Sequence, residues 1–216
     1  LSRLDIASGA REKVHELEAE NPETRSNDAR VAPDGSWWIG TMGRAEGEGA
    51  GALYHFAAGQ FTTLLTGVTV SNATCFSPDG RTAYFSDTPT RQIKKVALNA
   101  ETGLPDGPWE VFVDLTGQPG APDGAVTDVE GFVWNAEYGG SRVVRYAPDS
   151  SVDRVVTLPC PNVTCPAFGG EHLKTLYVTT AAQGLSDEEK ARHPLSGGIF
   201  SIDVDVAGLA ETVLRA

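Results

Sequence analysis

The stretch "RSNDARVAPDGSWWIG", residues 25–40, joins a polar cluster to a short apolar run, a Pro-Asp-Gly turn and two adjacent tryptophans. Pro33, Asp34 and Gly35 carry turn chemistry: proline fixes its own φ, aspartate bonds the backbone ahead of it, and glycine accepts a left-handed conformation. The flanking residues then read as two strands of a hairpin. The arrangement recurs. Asn27 is followed at seven and eight residues by Asp34 and Gly35 and then by Trp38; Asn72 is followed at the same offsets by Asp79 and Gly80 and then by Tyr84. Asp123 precedes Glu130, Gly131 and Trp134, and Thr164 precedes Glu171, His172 and Tyr177 in a looser copy. The copies start 45, 51 and 41 residues apart.

A period of about 45 residues with several strands per unit marks a β-propeller, in which each repeat is one four-stranded antiparallel blade around a central channel. The expected fold is therefore all-β. "SWWIGTM", "GALYHFAAG", "RTAYFSD", "QIKKVALN", "FVWNAEY", "RVVRYAPD", "KTLYVTTAA" and "GGIFSIDV" are short, aromatic and β-branched, with Pro, Gly, Asp and Ser between them. "REKVHELEAE" reads as a helix or as a strand and a loop, and "LSDEEKARHP" has Ser186 and Glu189 at capping-box spacing before Pro194. Equivalent positions of a propeller form a ring, so Asn27, Asn72, Asp123 and Thr164 are expected at the channel mouth. The oxygens of two Asn and one Asp suit a hard divalent cation. Asn and Asp also start turns by bonding their own backbone, and for any one of these residues that reading stands beside the first.

The 216 residues carry 17 Lys and Arg against 29 Asp and Glu, a net charge of -12. Such a surface repels phosphate backbones and anionic lipid, so neither nucleic acid nor membrane is an expected partner. Apolar runs are too short for a membrane span and the first residues lack signal-peptide regions, which gives an expectation of a soluble, cytoplasmic protein. Cys75, Cys160 and Cys165 read as free thiols, since three cysteines fit neither a disulfide framework nor a zinc cluster. "GEGAGA", Gly47–Ala52, precedes a strand pattern and reads as a loop, not a dinucleotide fingerprint.

"RSNDARVAPDGSWWIGTMG", "VSNATCFSPDGRTAYFSDTPTRQI", "GAPDGAVTDVEGFVWNAEYGGSRVVRYAPD", "CPAFGGEHLKTLYVTTA" and "HPLSGGIF" together resemble the gluconolactonase, regucalcin and senescence-marker-protein family. The resemblance runs from residue 1 to about residue 203, with the motifs in family order. It implies a six-bladed propeller that hydrolyses a sugar (aldonic acid) lactone with one divalent metal ion, Ca, Zn, Mg, Mn or Fe(II), in the channel. By the same resemblance Asn72 and Asp123 are metal ligands, Asp123 is also the catalytic acid/base, and Arg25 and Asn27 contact substrate. An acidic substrate contact after "GTM" is matched loosely by Glu46. A glutamate ligand that the family carries well before "RSND" has no counterpart in the 24 residues present there: Glu16, Glu18, Glu20 and Glu23 lie in a different context. Four repeats also leave a six-bladed ring two short, so the expectation is a single propeller domain over residues 1–216, truncated at its N-terminal side by about two blades. A non-catalytic metal-binding or interaction propeller and a phosphotriesterase-like hydrolase are the alternative functions.

Overall fold

The computed structural model describes residues 1–45 and 47–215. A short hairpin of β1 (Ser2–Leu4) and β2 (Arg11–Lys13) comes first. Three four-stranded antiparallel meanders follow. They comprise β3 (Thr24–Val31), β4 (Trp37–Gly43), β5 (Gly51–Ala57) and β6 (Gln60–Val68); then β7 (Ser71–Phe76), β8 (Thr82–Asp87), β9 (Gln92–Ala97) and β10 (Glu110–Asp114); then β11 (Ala121–Thr127), β12 (Val133–Tyr138), β13 (Arg142–Tyr146) and β14 (Val152–Thr157). The last sheet has three strands, β15 (Val163–Gly169), β16 (Thr175–Thr180) and β17 (Ile199–Asp203), with helix α1 (Asp187–Arg192) between the last two. Among the described residues this is an all-β propeller of four blades, the first three with the expected four strands.

The repeated turn forms for the reason its residues suggest. Gly35, Gly80 and Gly131 take positive φ of 89°, 68° and 81°. Asp34 accepts the Ser36 N–H at 2.8 Å, and Asp79 accepts the Arg81 N–H at 3.0 Å. In the third blade the turn acid is Asp128, not the Glu130 that the seven-residue offset selects. Asp128 accepts the N–H groups of Glu130 at 3.0 Å and Phe132 at 3.1 Å, while Glu130 pairs with Arg145. In the fourth blade Leu173, with φ 53°, takes the left-handed position, and Tyr177 is 41% exposed where Trp38, Tyr84 and Trp134 are buried.

One apolar cluster fills each space between neighbouring blades. Trp38, Leu53, Phe76 and Phe85 pack between the first and second, Tyr84, Ile93, Phe112 and Val144 between the second and third, and Trp134, Val143, Leu176 and Val178 between the third and fourth. Trp38 meets Phe76 edge-to-face with ring centroids 5.3 Å apart, a favoured aromatic geometry. Its neighbour Trp37 is half-buried on the other face. "REKVHELEAE" is a three-residue strand and a loop, because Glu18 turns left-handed and binds Tyr54 and Thr41 of the first blade at 2.7 and 3.0 Å. Helix α1 has the full capping box of Ser186 and Glu189.

After β17 the chain runs beneath the innermost strands as a strap. Ala207 accepts from the Val129 N–H at 3.0 Å, Gly208 donates to the Leu173 carbonyl at 2.8 Å, and Arg215 donates to the Gly35 carbonyl at 2.9 Å. Glu211 pairs with Arg30, whose second Nη donates to the Ala125 carbonyl across the channel at 3.2 Å. All three cysteines are free, Cys75 and Cys160 buried and Cys165 half-buried. No helix among the described residues is long and apolar enough to cross a membrane.

The charged groups differ sharply in worth. Asp128 is fully buried and holds Arg145 Nε at 2.8 Å and Trp134 Nε1 at 2.8 Å. Asp128→Ala, which leaves the Trp134 Nε1–H and the Glu130 and Phe132 N–H groups without their buried acceptor while Arg145 keeps Glu130 and Asp153, is expected to lower unfolding free energy by about 3–5 kcal/mol. Glu211 is 68% exposed, and Glu211→Gln is expected to change it by less than about 1 kcal/mol. Urea unfolding of the two variants checks the contrast.

Candidate active site

The innermost strand of every blade slips register at the same repeat position. The breaks fall between Ser26 and Ala29 in β3, Asn72 and Cys75 in β7, Pro122 and Ala125 in β11, and Val163 and Cys165 in β15. Each is a β-bulge, which inserts an extra residue, bends the strand and re-aims its side chains. Asn27, Asp123 and Thr164 lie within these bulges, and Asn72 is the last paired residue before one. The repeat position picked out in the sequence is thus the place where the pleat is broken.

Hydrogen bonds connect three of the four blades here. Arg25 Nη1 donates to Asn27 Oδ1 at 3.0 Å and to the Ser26 carbonyl at 3.0 Å. Asn27 Nδ2 donates to the Ser71 carbonyl at 2.8 Å and lies 3.3 Å from Asn72 Oδ1. Asn72 Nδ2 donates to Thr88 Oγ1 at 2.8 Å, and Thr88 Oγ1 donates to the Pro122 carbonyl at 2.8 Å, one residue before Asp123. The Asp123 and Gly124 carbonyls each accept from Asn135 Nδ2 at 3.3 Å. Thr164 stands apart from this network and bonds Thr179 across its own blade at 2.7 Å.

Asp123 is half-buried. Burial pushes its carboxyl up to about 7, the nearby Asp28 carboxylate adds to the rise, and the Gly124 N–H opposes both. Asp28 is itself raised by burial, against a hydrogen bond from the Thr74 N–H at 2.7 Å. Below them Arg30 faces Asp28, Cys75 and Cys165, and burial pushes both thiols up to about 12. Cys165 is thus a channel residue: a Cβ on Gly124 would come within 2.6 Å of its Sγ.

The donor set bears on the expected cation. Asn27 Oδ1, Asn72 Oδ1 and the Asp123 carboxylate are all oxygens, which suits a hard divalent ion, and among the described residues Asp123 pairs with no basic side chain. Among the described residues no group of three or more His, Cys, Asp or Glu side chains is placed to hold a metal, so the set is one carboxylate with amides. The fit is to an oxygen-binding cation and not to a thiolate or imidazole site.

Sequence reasoning missed four groups: Ser71, Thr88, Asn135 and Asp28 in its buried role. Thr88 left a trace. It lies sixteen residues after Asn72, and the same offset from Asn27 and Asp123 gives Gly43 and Gly139. Glu46 lies outside the described residues.

The SMP-30/Gluconolactonase/LRE-like region family model matches residues 1–182. The chain belongs to this family. A 6-deoxy-6-sulfogluconolactonase of Pseudomonas putida is 40% identical over 89% of the chain and 68% of its own length. An L-arabinolactonase of Azospirillum brasilense is 36% identical over 97% of the chain and 70% of its own length. The crystal structure of a calcium-binding protein, regucalcin, from Agrobacterium tumefaciens superposes with a TM-score of 0.96 and 42% identity, covering the whole chain and 73% of that protein. These relatives place the chain among lactone hydrolases.

The raised Asp123 carboxyl has a signed consequence for folding. Its folded value lies above the ordinary 3.8, so ionising it opposes the folded state. Stability present below about pH 4 is lost as pH rises through 7. In chelator, Asp123→Asn is expected to be more stable than the parent at pH 8, by on the order of 2–4 kcal/mol, with the advantage gone at pH 4. Urea melts at both values check it; an advantage equal at both refutes the assignment.

Proposed function

We propose that this chain is the greater part of a cytoplasmic, divalent-metal-dependent sugar lactone hydrolase. The observation that carries the reading is a half-buried Asp123 carboxyl, raised by burial and by Asp28, one residue from the Pro122 carbonyl that the Asn27–Asn72–Thr88 chain of hydrogen bonds reaches. Family membership and the lactonase relatives support the reaction class. The coverage of those relatives, near two thirds, supports a single ring of six blades in which the four described here are joined by two more. Three unpaired cysteines accord with a reducing compartment.

Asn72 and Asp123 would hold the cation, with Asn27 beside it; when bound, it supplies an electrophile for the lactone carbonyl oxygen. Asp123 is the acid/base. It takes a proton from the water that adds to the carbonyl carbon, and returns it to the ring oxygen as that C–O bond breaks, leaving a hydroxy acid. Burial and Asp28 raise the proton affinity of Asp123, and a neighbouring dication would lower it. Arg25 is exposed at the mouth and offers its remaining donors to sugar hydroxyls or to the developing carboxylate.

In the full-length protein, Asp123→Asn is expected to abolish acid release from a panel of aldonolactones in metal-supplemented buffer while far-ultraviolet circular dichroism is unchanged. Turnover surviving in that variant removes the mechanism. Arg25→Ala is expected to raise KM more than it lowers kcat, measured by initial rates, because it removes binding common to ground and transition states.

A further inference from the structure

We infer that Thr88 is a positioning residue that fixes which end of the Asn72 amide faces the channel. An asparagine side chain is nearly symmetric in shape, yet one end accepts hydrogen bonds and binds cations while the other only donates. Asn72 is 6% exposed, so water cannot choose between its two orientations.

The choice is made by a hydroxyl with a single proton. Thr88 Oγ1 gives that proton to the Pro122 carbonyl at 2.8 Å, so toward Asn72 it presents only lone pairs. Asn72 must answer with its NH2, which it does at 2.8 Å. Its Oδ1 is then turned to the side where Asn27 lies, and the 3.3 Å contact there is long and shared, since Asn27 Nδ2 makes its shorter bond to Ser71. A reversed Asn72 would set oxygen against oxygen at Thr88 and its own NH2 against that of Asn27. Both contacts would be lost together.

The hydroxyl is also well placed to hold its direction. Thr88 opens a 3-10 turn, Thr88–Thr90, and its N–H donates to the Val70 carbonyl at 3.0 Å. Asp87 accepts the N–H groups of Thr69 at 3.1 Å and Val70 at 2.8 Å, tying the turn to the start of β7. On the other side Arg91 donates to the carbonyls of Leu115 at 3.3 Å and Gln118 at 2.5 Å, in the segment that enters β11. One oxygen atom thus couples Asn72 in the second blade to the backbone beside Asp123 in the third.

What the Asn72 oxygen would bind rests on the proposed cation. The test is calorimetric titration of the full-length protein with Ca2+ and with Mn2+. Thr88→Val, which keeps shape and removes the hydroxyl, is expected to weaken uptake about 10–100-fold, the usual effect of losing a group that orients a ligand, without a matching fall in melting temperature. Thr88→Ser is expected to restore wild-type affinity. In an Asn72→Asp background, where either end is oxygen, the cost of Thr88→Val is expected to fall away. Wild-type affinity in Thr88→Val, failure of Thr88→Ser, or an undiminished cost beside Asn72→Asp overturns the inference. If the wild type takes up no cation, the cation reading fails, and an atomic-resolution crystal structure judges Thr88 directly: Asn72 nitrogen toward the channel overturns it, oxygen toward the channel supports it.

Discussion

The channel mouth depends on a break in the pleat. A regular strand sends successive side chains to opposite faces, so an innermost strand would offer the axis only every second residue. The bulge at Asn27–Asp28, and its counterparts in β7, β11 and β15, lifts that restriction and brings neighbouring residues into the interior together. Breaking the ladder leaves backbone groups to be satisfied, and side chains do so. Asp28 accepts the Thr74 N–H in the second blade, and Asn135 holds two carbonyls in the third. Close approach is the other requirement: Gly124 has no Cβ where Cys165 presses on it.

Two carboxyls share this interior, and they are not equivalent. Asp28 lies on the side of Arg30 and has a backbone donor. Arg30 in turn is engaged by Glu211 and the Ala125 carbonyl, so its charge is drawn downward. Asp123 feels burial and Asp28 without relief from a basic side chain. The two carboxyls therefore feel different surroundings, Asp28 relieved by Arg30 and a backbone donor, Asp123 raised by burial and by Asp28. The amides extend the same logic: Arg25 can only donate to Asn27, and Thr88, its proton given to Pro122, can only accept from Asn72.

Much of this was legible in the sequence, and the limits have physical causes. The repeat from Asn27 to Trp38 revealed the propeller, the ring positions and the interblade aromatics, because turn chemistry and buried aromatics leave fixed spacings. The offset misled at Glu130, where Asp128 took over the turn, since the backbone needs an acid within reach and not at a numbered place. Bulges were invisible: Asp28, Ala73 and Gly124 have no composition in common. Thr88 and Asn135 were missed because they act from a turn and a second strand, where Thr and Asn have many ordinary roles. Glu18 was set aside for its context, and the structure gives it a bracing role against Tyr54 and Thr41 instead.

The strap crosses the foot of the innermost strands in the described blades. Beside it Arg30, Phe76, Phe168 and Glu211 line a cavity of only about 50 Å3, smaller than a sugar. Substrate and product both pass a strongly acidic surface. For the proposed reaction that traffic sorts itself by charge: an uncharged ring enters past a surface of net charge -12, and the anion made from it is expelled by the same field that its precursor did not feel.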